Sequence, residues 1–400
     1  MSYRGPVLSS RDPYLTAKLQ GFGTTIFAEM SALAVATGSI NLGQGFPDTD
    51  GPREVLDAAI AAINGGLNQY PPGPGMLVLR QAIAAHQQRF YGLTYDPDGE
   101  VLVTVGATEA LAGALLGMLD TGDEVVVFDP MFDSYAPCIA LAGAVARPVL
   151  LRPPHYAFDP DELRAAVTPR TKLILLNTPH NPTGRVFSME EMQLIAGIAI
   201  EHDLLVLTDD VYEHLVFDGA QHIAMATLPG MRERTLSISS GGKTFNTTGW
   251  KIGWLCGPPA MVQAARTAKQ FLTYVGGGPF QPAIAVGLGL PDAFFHGVAA
   301  DLQAMRDRLL PGLVEAGFTV YPTSGTYFVT VDIRPLRPDG DGMAFCRALP
   351  HHCGVVAIPN EVLYANKAEG RHLVRFAFCK RPEVIDEAVT RLKTLGNRSG

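Results

Sequence analysis

The sequence predicts an α/β architecture: a large domain built on a seven-stranded, mainly parallel sheet, with a smaller α+β domain after it. Three observations predict it. Between about residues 100 and 258, seven short runs rich in β-branched residues, "VLVTVG", "EVVVFDP", "VARPVLL", "KLILLN", "LLVLTDD", "TLSISS" and "IGWLCGP", alternate with longer stretches. Those longer stretches, such as 107 to 119 and 189 to 202, carry apolar residues at helical spacing. After about residue 290 the pattern changes to one long helix followed by further strands. Continuous apolar strands joined by helices describe a mainly parallel sheet covered on both faces.

In chain order, the segment 1 to 50 begins with a helix within "TTIFAEMSALAVATGSINLGQGFPD" and ends in an irregular, glycine-rich stretch. It is expected to wrap the large domain or join the small one. Residues 51 to 290 form the large domain, closing with a helical, proline-punctuated stretch from 259. Residues 291 to 400 form the small domain, with a long helix over about 292 to 316, strands in "FTVYPTSGTYFVTVDI", "GVVAIPN" and "HLVRFAFCK", and two more helices. No repeat or low-complexity segment interrupts this order.

Composition narrows the function classes. The 400 residues carry 31 basic and 39 acidic side chains, a net charge of −8, and no Lys/Arg run long enough to track a phosphate backbone, so no nucleic-acid partner is expected. No stretch has the roughly 18 uninterrupted apolar residues of a membrane helix, and "MSYRGPVLSSRDPYL" lacks the apolar core of a signal peptide. A cytoplasmic protein with no membrane association is expected. Five cysteines, Cys138, Cys256, Cys346, Cys353 and Cys379, are scattered without metal-finger spacing, so neither a disulfide nor a metal site is expected.

Ligands of open α/β sheets sit at the carboxyl ends of the strands. The residues that follow the predicted strands are Ala107, Thr108 and Glu109 at a helix start suited to phosphate, then Phe132, Asn181, Asp209 with Tyr212, and Ser240 with Lys243. Singly, each has an ordinary reading: a solvated lysine, a packed phenylalanine, a turn in "NPTG", a helix cap at Asp209. Together they fit one cofactor, pyridoxal 5'-phosphate, which needs an amine, an acid at its ring nitrogen, a phosphate cradle and an aromatic stack. Lys243 supplies the amine and should be partly desolvated, with Gly241 and Gly242 leaving room beside it. Asp209 keeps the ring nitrogen protonated, Tyr212 and Asn181 hydrogen-bond the ring hydroxyl, and Phe132 lies on the ring face.

Ordered along nearly the whole chain, "GTTIFAEMSALA", "INLGQGFPDTDGP", "NQYPPGPG", "VGATEALAGAL", "NTPHNPTG", "TDDVYEHLVFDG", "SSGGKTFNTTGWKIGW" and "VRFAFCKR" resemble the class I, fold-type I aminotransferases, in the branch of kynurenine and glutamine transaminases. Within that branch the sequence looks most like N-succinyldiaminopimelate aminotransferases of lysine biosynthesis. The resemblance implies that Lys243 holds the cofactor and moves the substrate proton, and that Asp209, Tyr212, Asn181 and Phe132 surround the ring. It implies a phosphate site of Ser240, Lys251 and the Ala107-Thr108 backbone. Tyr70 would reach the phosphate of the neighbouring subunit, making the active unit a homodimer. Arg375 would clamp the substrate α-carboxylate, as a planar guanidinium is suited to do, with the Gly45 backbone close by. Two departures stand out: Asp210 where relatives commonly have glutamate, and Met131 where Phe or Tyr is more usual.

The reaction implied is a ping-pong transfer of an α-amino group to a 2-oxo acid. Two alternatives share the cofactor: a broad kynurenine, glutamine or methionine aminotransferase, and a C–S β-lyase. A noncatalytic DNA-binding regulator would need a basic module that the sequence does not show. For the substrate side chain, Arg4, Arg11 and Lys18 are candidates for extra carboxylates, and Phe22, Phe27, Phe46 and Tyr135 for an aromatic wall.

Overall fold

The computed structural model describes residues 14–23 and 25–396. All seven runs are strands of one sheet, in the spatial order Val101–Val105, Ile252–Cys256, Thr235–Ser240, Leu205–Asp209, Thr171–Asn177, Glu124–Asp129, Val145–Leu150. Ile252–Cys256 runs antiparallel to both its neighbours, and the other adjacent pairs are parallel. Val145–Leu150 lies at one edge, where Pro148 costs no essential ladder bond.

Alternation along the strands explains why both faces are buried. Val126, Phe128, Ile174, Leu176 and Val206 pack to one side with Met192 and Ile195 of the helix Met189–Glu201. Val125, Val127, Leu173, Leu175, Leu207, Leu236 and Ile238 pack to the other with Ala110, Leu111 and Leu115 of the helix Gly106–Met118. The first of these helices starts at a capping box, Ser188 with Glu191, as its S-x-x-E sequence implies. The second is pressed onto the helix Pro259–Lys269: a Cβ at Gly117 would lie 2.3 Å from the carbonyl oxygen of Ala264, so only glycine permits this approach. That packing fixes where the start of Gly106–Met118 points.

After the long helix Asp292–Glu315, a four-stranded antiparallel sheet forms in the order Ile358–Pro359, Leu373–Ala377, Phe328–Asp332, Thr319–Val320. The N-terminal segment joins this part of the chain: Ile40–Asn41 pairs in parallel with Val355–Val356, and Ile26, Met30 and Ala34 of the helix Ile26–Thr37 enter the same core as Leu349, Val374 and Phe376. Among the described residues, no single helix is long and apolar enough to cross a membrane.

Candidate active site

A cavity of about 170 Å³ opens at the carboxyl ends of the parallel strands. One ordered water needs only ~10–15 Å³, so this is space for a ligand. Gly106, Ala107, Thr108, Phe132, Asn181, Asp209, Tyr212, Ser240, Lys243 and Lys251 line it, as do Asn177 and Thr248. Nine of the twelve expected site positions thus line one space, brought there from the ends of separate strands. The other expected residues lie elsewhere: Arg375 is reached through Asn181, Gly45 sits behind it, and Tyr70 is at the surface, 83% exposed.

Lys243 belongs to the short helix Gly241–Thr244, directly after the strand Thr235–Ser240. Burial pushes its amine down to about 8, and the neighbouring Lys251 and Arg375 act in the same direction against Cys379 and Asp209. The flanking glycines serve packing more than ligand space. A Cβ on Gly241 would lie 2.7 Å from Ile284 Cδ1, and one on Gly242 would meet the Thr248 backbone at 3.1 Å, although Gly242 also lines the cavity.

Asp209 ends its strand at the opposite side. Burial raises its carboxyl, while the hydrogen bond from Tyr135 and the Lys243 charge oppose that rise. Tyr135 Oη donates to Asp209 Oδ2 at 2.7 Å, and Asn177 Nδ2 donates to the Asp209 carbonyl at 2.7 Å. Asn177 Oδ1 in turn accepts from the backbone N–H of Asn181 at 2.8 Å. Neighbouring strand ends are thereby locked together at the base of the site.

At the start of the helix Gly106–Met118, Gly106 has φ +73°, and the nearby Lys251 has φ +55°. A Cβ on Gly106 would lie 3.1 Å from Lys251 Nζ, so glycine is what admits the ammonium beside the helix start. Two ammonium groups and a helix N-terminus therefore face this cavity against one buried carboxylate, Asp209. Such a site wants an anion at one end and a protonated ring nitrogen at the other. The residues fit pyridoxal phosphate.

Arg375, on the strand Leu373–Ala377, is 2% exposed. Its Nη1 donates to Asn181 Oδ1 at 2.8 Å and its Nη2 to the Gly43 carbonyl at 3.0 Å, while Nε is buried with no partner. The guanidinium lies 3.8 Å over the Phe328 ring and 5.2 Å from that of Phe27. Burial pushes its pKa down to about 10, which leaves it charged at neutral pH.

The family model for aminotransferase class I and II matches residues 37–392. The chain belongs to that family. It is accordingly a pyridoxal-phosphate-dependent aminotransferase. The aminotransferase is 53% identical over 393 residues to a probable N-succinyldiaminopimelate aminotransferase of Mycobacterium tuberculosis, across 96% of this chain and 98% of that protein. The solved structure of N-succinyldiaminopimelate aminotransferase from the same organism matches with a TM-score of 0.93 at 54% identity, across 95% of this chain and 100% of the other. The methionine aminotransferase of Escherichia coli is 39% identical over 379 residues, across 95% of this chain and 98% of that one.

Several expectations change in detail. The backbone group that meets Arg375 is the Gly43 carbonyl, whereas the Gly45 carbonyl accepts from Tyr327 Oη at 2.6 Å. Gly45 must still be glycine, because a Cβ there would lie 2.3 Å from Phe328 Cζ. Tyr135, considered above as a side-chain wall, lines the cavity and also turns its hydroxyl to Asp209; its place three residues after Phe132, at the start of the helix Tyr135–Leu141, was the available signal. Phe27 lies against Arg375, Lys380 Nζ lies 4.4 Å over the half-exposed Phe46 ring, and Lys18 Nζ donates to the Leu141 carbonyl. Met131 is buried in the core of the sheet. Arg4 and Arg11 fall outside the described residues.

Behind the site, ligand-type atoms of His86, Glu213 and His214 lie within 4.8 Å of one another. The two imidazole Nε2 atoms are 2.7 Å apart, a hydrogen-bonded pair, and both Glu213 oxygens accept hydroxyls, from Tyr91 and Ser239, at 2.5 Å.

Proposed function

We propose that this aminotransferase transfers the α-amino group of N-succinyldiaminopimelate to 2-oxoglutarate, or runs that exchange in reverse with glutamate, by a ping-pong mechanism in the cytoplasm. The identity to the mycobacterial protein across nearly the whole of both chains supports this substrate. One observation supports the assignment of roles: the buried amine of Lys243 lines the cavity, and the buried guanidinium of Arg375 donates to Asn181, which lines it as well.

Bound there, pyridoxal phosphate supplies an aldehyde and an electron-withdrawing ring. Lys243 Nζ would hold the aldehyde, and its amine would be the group that takes the proton from the substrate Cα. Asp209 keeps the ring nitrogen protonated, and the Tyr135 hydroxyl holds that carboxylate in place. Asn181 has committed its Oδ1 to Arg375, so its Nδ2 donor is what it offers the ring hydroxyl, beside Tyr212. Phe132 covers the ring face. Ser240, Lys251 and the Ala107-Thr108 N–H groups receive the phosphate. Arg375 gives the α-carboxylate the N–H groups not used by Asn181 and Gly43, with the Gly45 backbone alongside.

The working unit is a homodimer, with residues 51 to 290 as the cofactor-binding domain and 291 to 400, joined by the N-terminal 50, as the smaller one. Tyr70 packs edge-on against Tyr274, and the nearby Phe271 is 79% exposed. Aromatic exposure of this kind marks a surface that another chain covers, and a second copy would receive Tyr70 at its phosphate.

The test is a half-reaction: holoenzyme is mixed with one amino donor and no acceptor, and the visible absorbance change is timed. N-succinyldiaminopimelate should convert the enzyme with a higher second-order rate constant than methionine, kynurenine or glutamine. A tenfold preference for any of those three would overturn the substrate assignment, and pyruvate plus ammonia released from a cysteine conjugate without acceptor would show the β-lyase reaction.

A further inference from the structure

Glu109 stands in the first turn of the helix Gly106–Met118 yet does not line the cavity. Its buried carboxylate faces away and makes two bonds of different reach. Oε2 accepts the backbone N–H of Val105 at 2.5 Å, which fastens the strand-to-helix turn just before Gly106. Oε1 accepts the Thr273 hydroxyl, from a loop far along the chain.

That loop holds its shape against strain. Tyr274 has φ +64°, a left-handed conformation that a bulky side chain rarely adopts and that persists only where neighbours hold it. Lys269, itself 3% exposed, donates from Nζ to the Tyr274 carbonyl at 2.6 Å and to the Gly73 carbonyl at 3.3 Å. The Tyr274 ring then meets the Tyr70 ring with centroids 5.9 Å apart, in an edge-on contact at 66°. Tyr70 is otherwise a side chain on the surface, so the position of its hydroxyl depends on Tyr274 and on the backbone around Gly73.

We propose that Glu109 is a positioning residue for Tyr70, acting through Thr273 and Tyr274. One carboxylate then fastens both the turn that opens a subunit's own phosphate cradle and the tyrosine that completes its neighbour's. This rests on the reading above that Tyr70 reaches the phosphate of the partner subunit. A carboxylate suits the task because it accepts two donors at once and presents none, so neither the Val105 N–H nor the Thr273 hydroxyl is left buried without an acceptor.

The test is a double-mutant cycle on cofactor affinity, read by titrating the dimeric apoenzyme with pyridoxal phosphate. Thr273→Val removes only the linking hydroxyl and should weaken cofactor binding about tenfold while the melting temperature holds, and Thr273→Ser should restore it. Tyr70→Phe should weaken binding comparably, and Tyr70→Phe combined with Thr273→Val should be no weaker than Tyr70→Phe alone, because the hydroxyl being positioned is already gone. Multiplying effects in the double variant would overturn the role of Glu109 and leave that of Tyr70 standing. Unchanged binding in Tyr70→Phe would overturn both. If Thr273→Val does not fold, Glu109→Gln enters the same cycle, since an amide cannot accept both donors.

Discussion

Tyr135 Oη and Asp209 Oδ2 share a 2.7 Å hydrogen bond at the base of the cavity, between residues 74 positions apart. Burial raises the Asp209 carboxyl and this bond restrains it. Tyr135→Phe removes the restraint, so the carboxyl should titrate at higher pH. A hydrogen bond to a charged group contributes roughly 1.5–3 kcal/mol, or about tenfold to a hundredfold. The acid limb of the kcat/KM profile should move to higher pH, with kcat lowered by about tenfold; an unmoved limb would mean that Tyr135 does not govern Asp209.

Burial pushes the Lys243 amine down to about 8. The reactive form is the neutral amine, present above that pH, so the rate at which apoenzyme captures pyridoxal phosphate should rise through about pH 8 and level off beyond it. An ordinary lysine would keep climbing toward 10.5. Lys243→Ala should abolish turnover while cofactor still binds noncovalently, which equilibrium dialysis would detect.

Arg375→Lys keeps a charge and loses the planar fork. It also loses the geometry that holds Asn181 and Gly43 together. KM for the amino donor should rise by about tenfold or more, with the cofactor dissociation constant changed much less. A defect confined to cofactor binding would contradict a carboxylate clamp.

Gly45→Ala places a Cβ 2.3 Å from Phe328 Cζ, directly under the ring that carries Arg375. Overpacking of this kind costs about 1–3 kcal/mol. The melting temperature should fall and KM should rise together, since the ring that must move is the one under the Arg375 guanidinium. Near-native values for both would show that the loop yields instead.

Four histidines, His86 and His180 buried and His214 and His222 half-buried, set an acid limit on stability. Burial holds His86, His180 and His214 down to about 3 and His222 to about 4. Below about pH 6.5 the unfolded chain binds protons that these imidazoles refuse in the folded state, so stability is lost as pH falls from 6.5 toward 4 and is unaffected by them above pH 7. Denaturant unfolding of His214→Phe should show a pH slope in that window shallower by up to about 1.4 kcal/mol per pH unit than wild type.

The strands could be read from the sequence because β-branched runs buried on both faces need no partner to be recognised. Asp209, Ser240 and Lys243 were legible for a related reason: they follow such runs, and strand ends converge on one edge. Arg375 needed the family resemblance, since an arginine within an alternating strand has no local mark of function. Contacts made across the chain left no local sign at all. The Gly43 carbonyl meets Arg375 across 332 positions, so the glycine-rich loop advertised a close approach without saying which glycine makes it. Likewise "ATEA" gives no hint that Glu109 reaches Thr273 rather than water.

The reversed strand Ile252–Cys256 has a consequence for how the chain can change. Thr235–Ser240 runs toward the cavity and Ile252–Cys256 runs away from it, with Ser240 paired to Gly253. The segment from 241 to 251 therefore leaves and re-enters the sheet at one place, carrying Lys243 at its start and Lys251 at its end. Inserting or deleting a residue between them would leave the sheet register intact and still pull one ammonium away from the other. Drift in loop length, which surface connections ordinarily tolerate, is closed to this one.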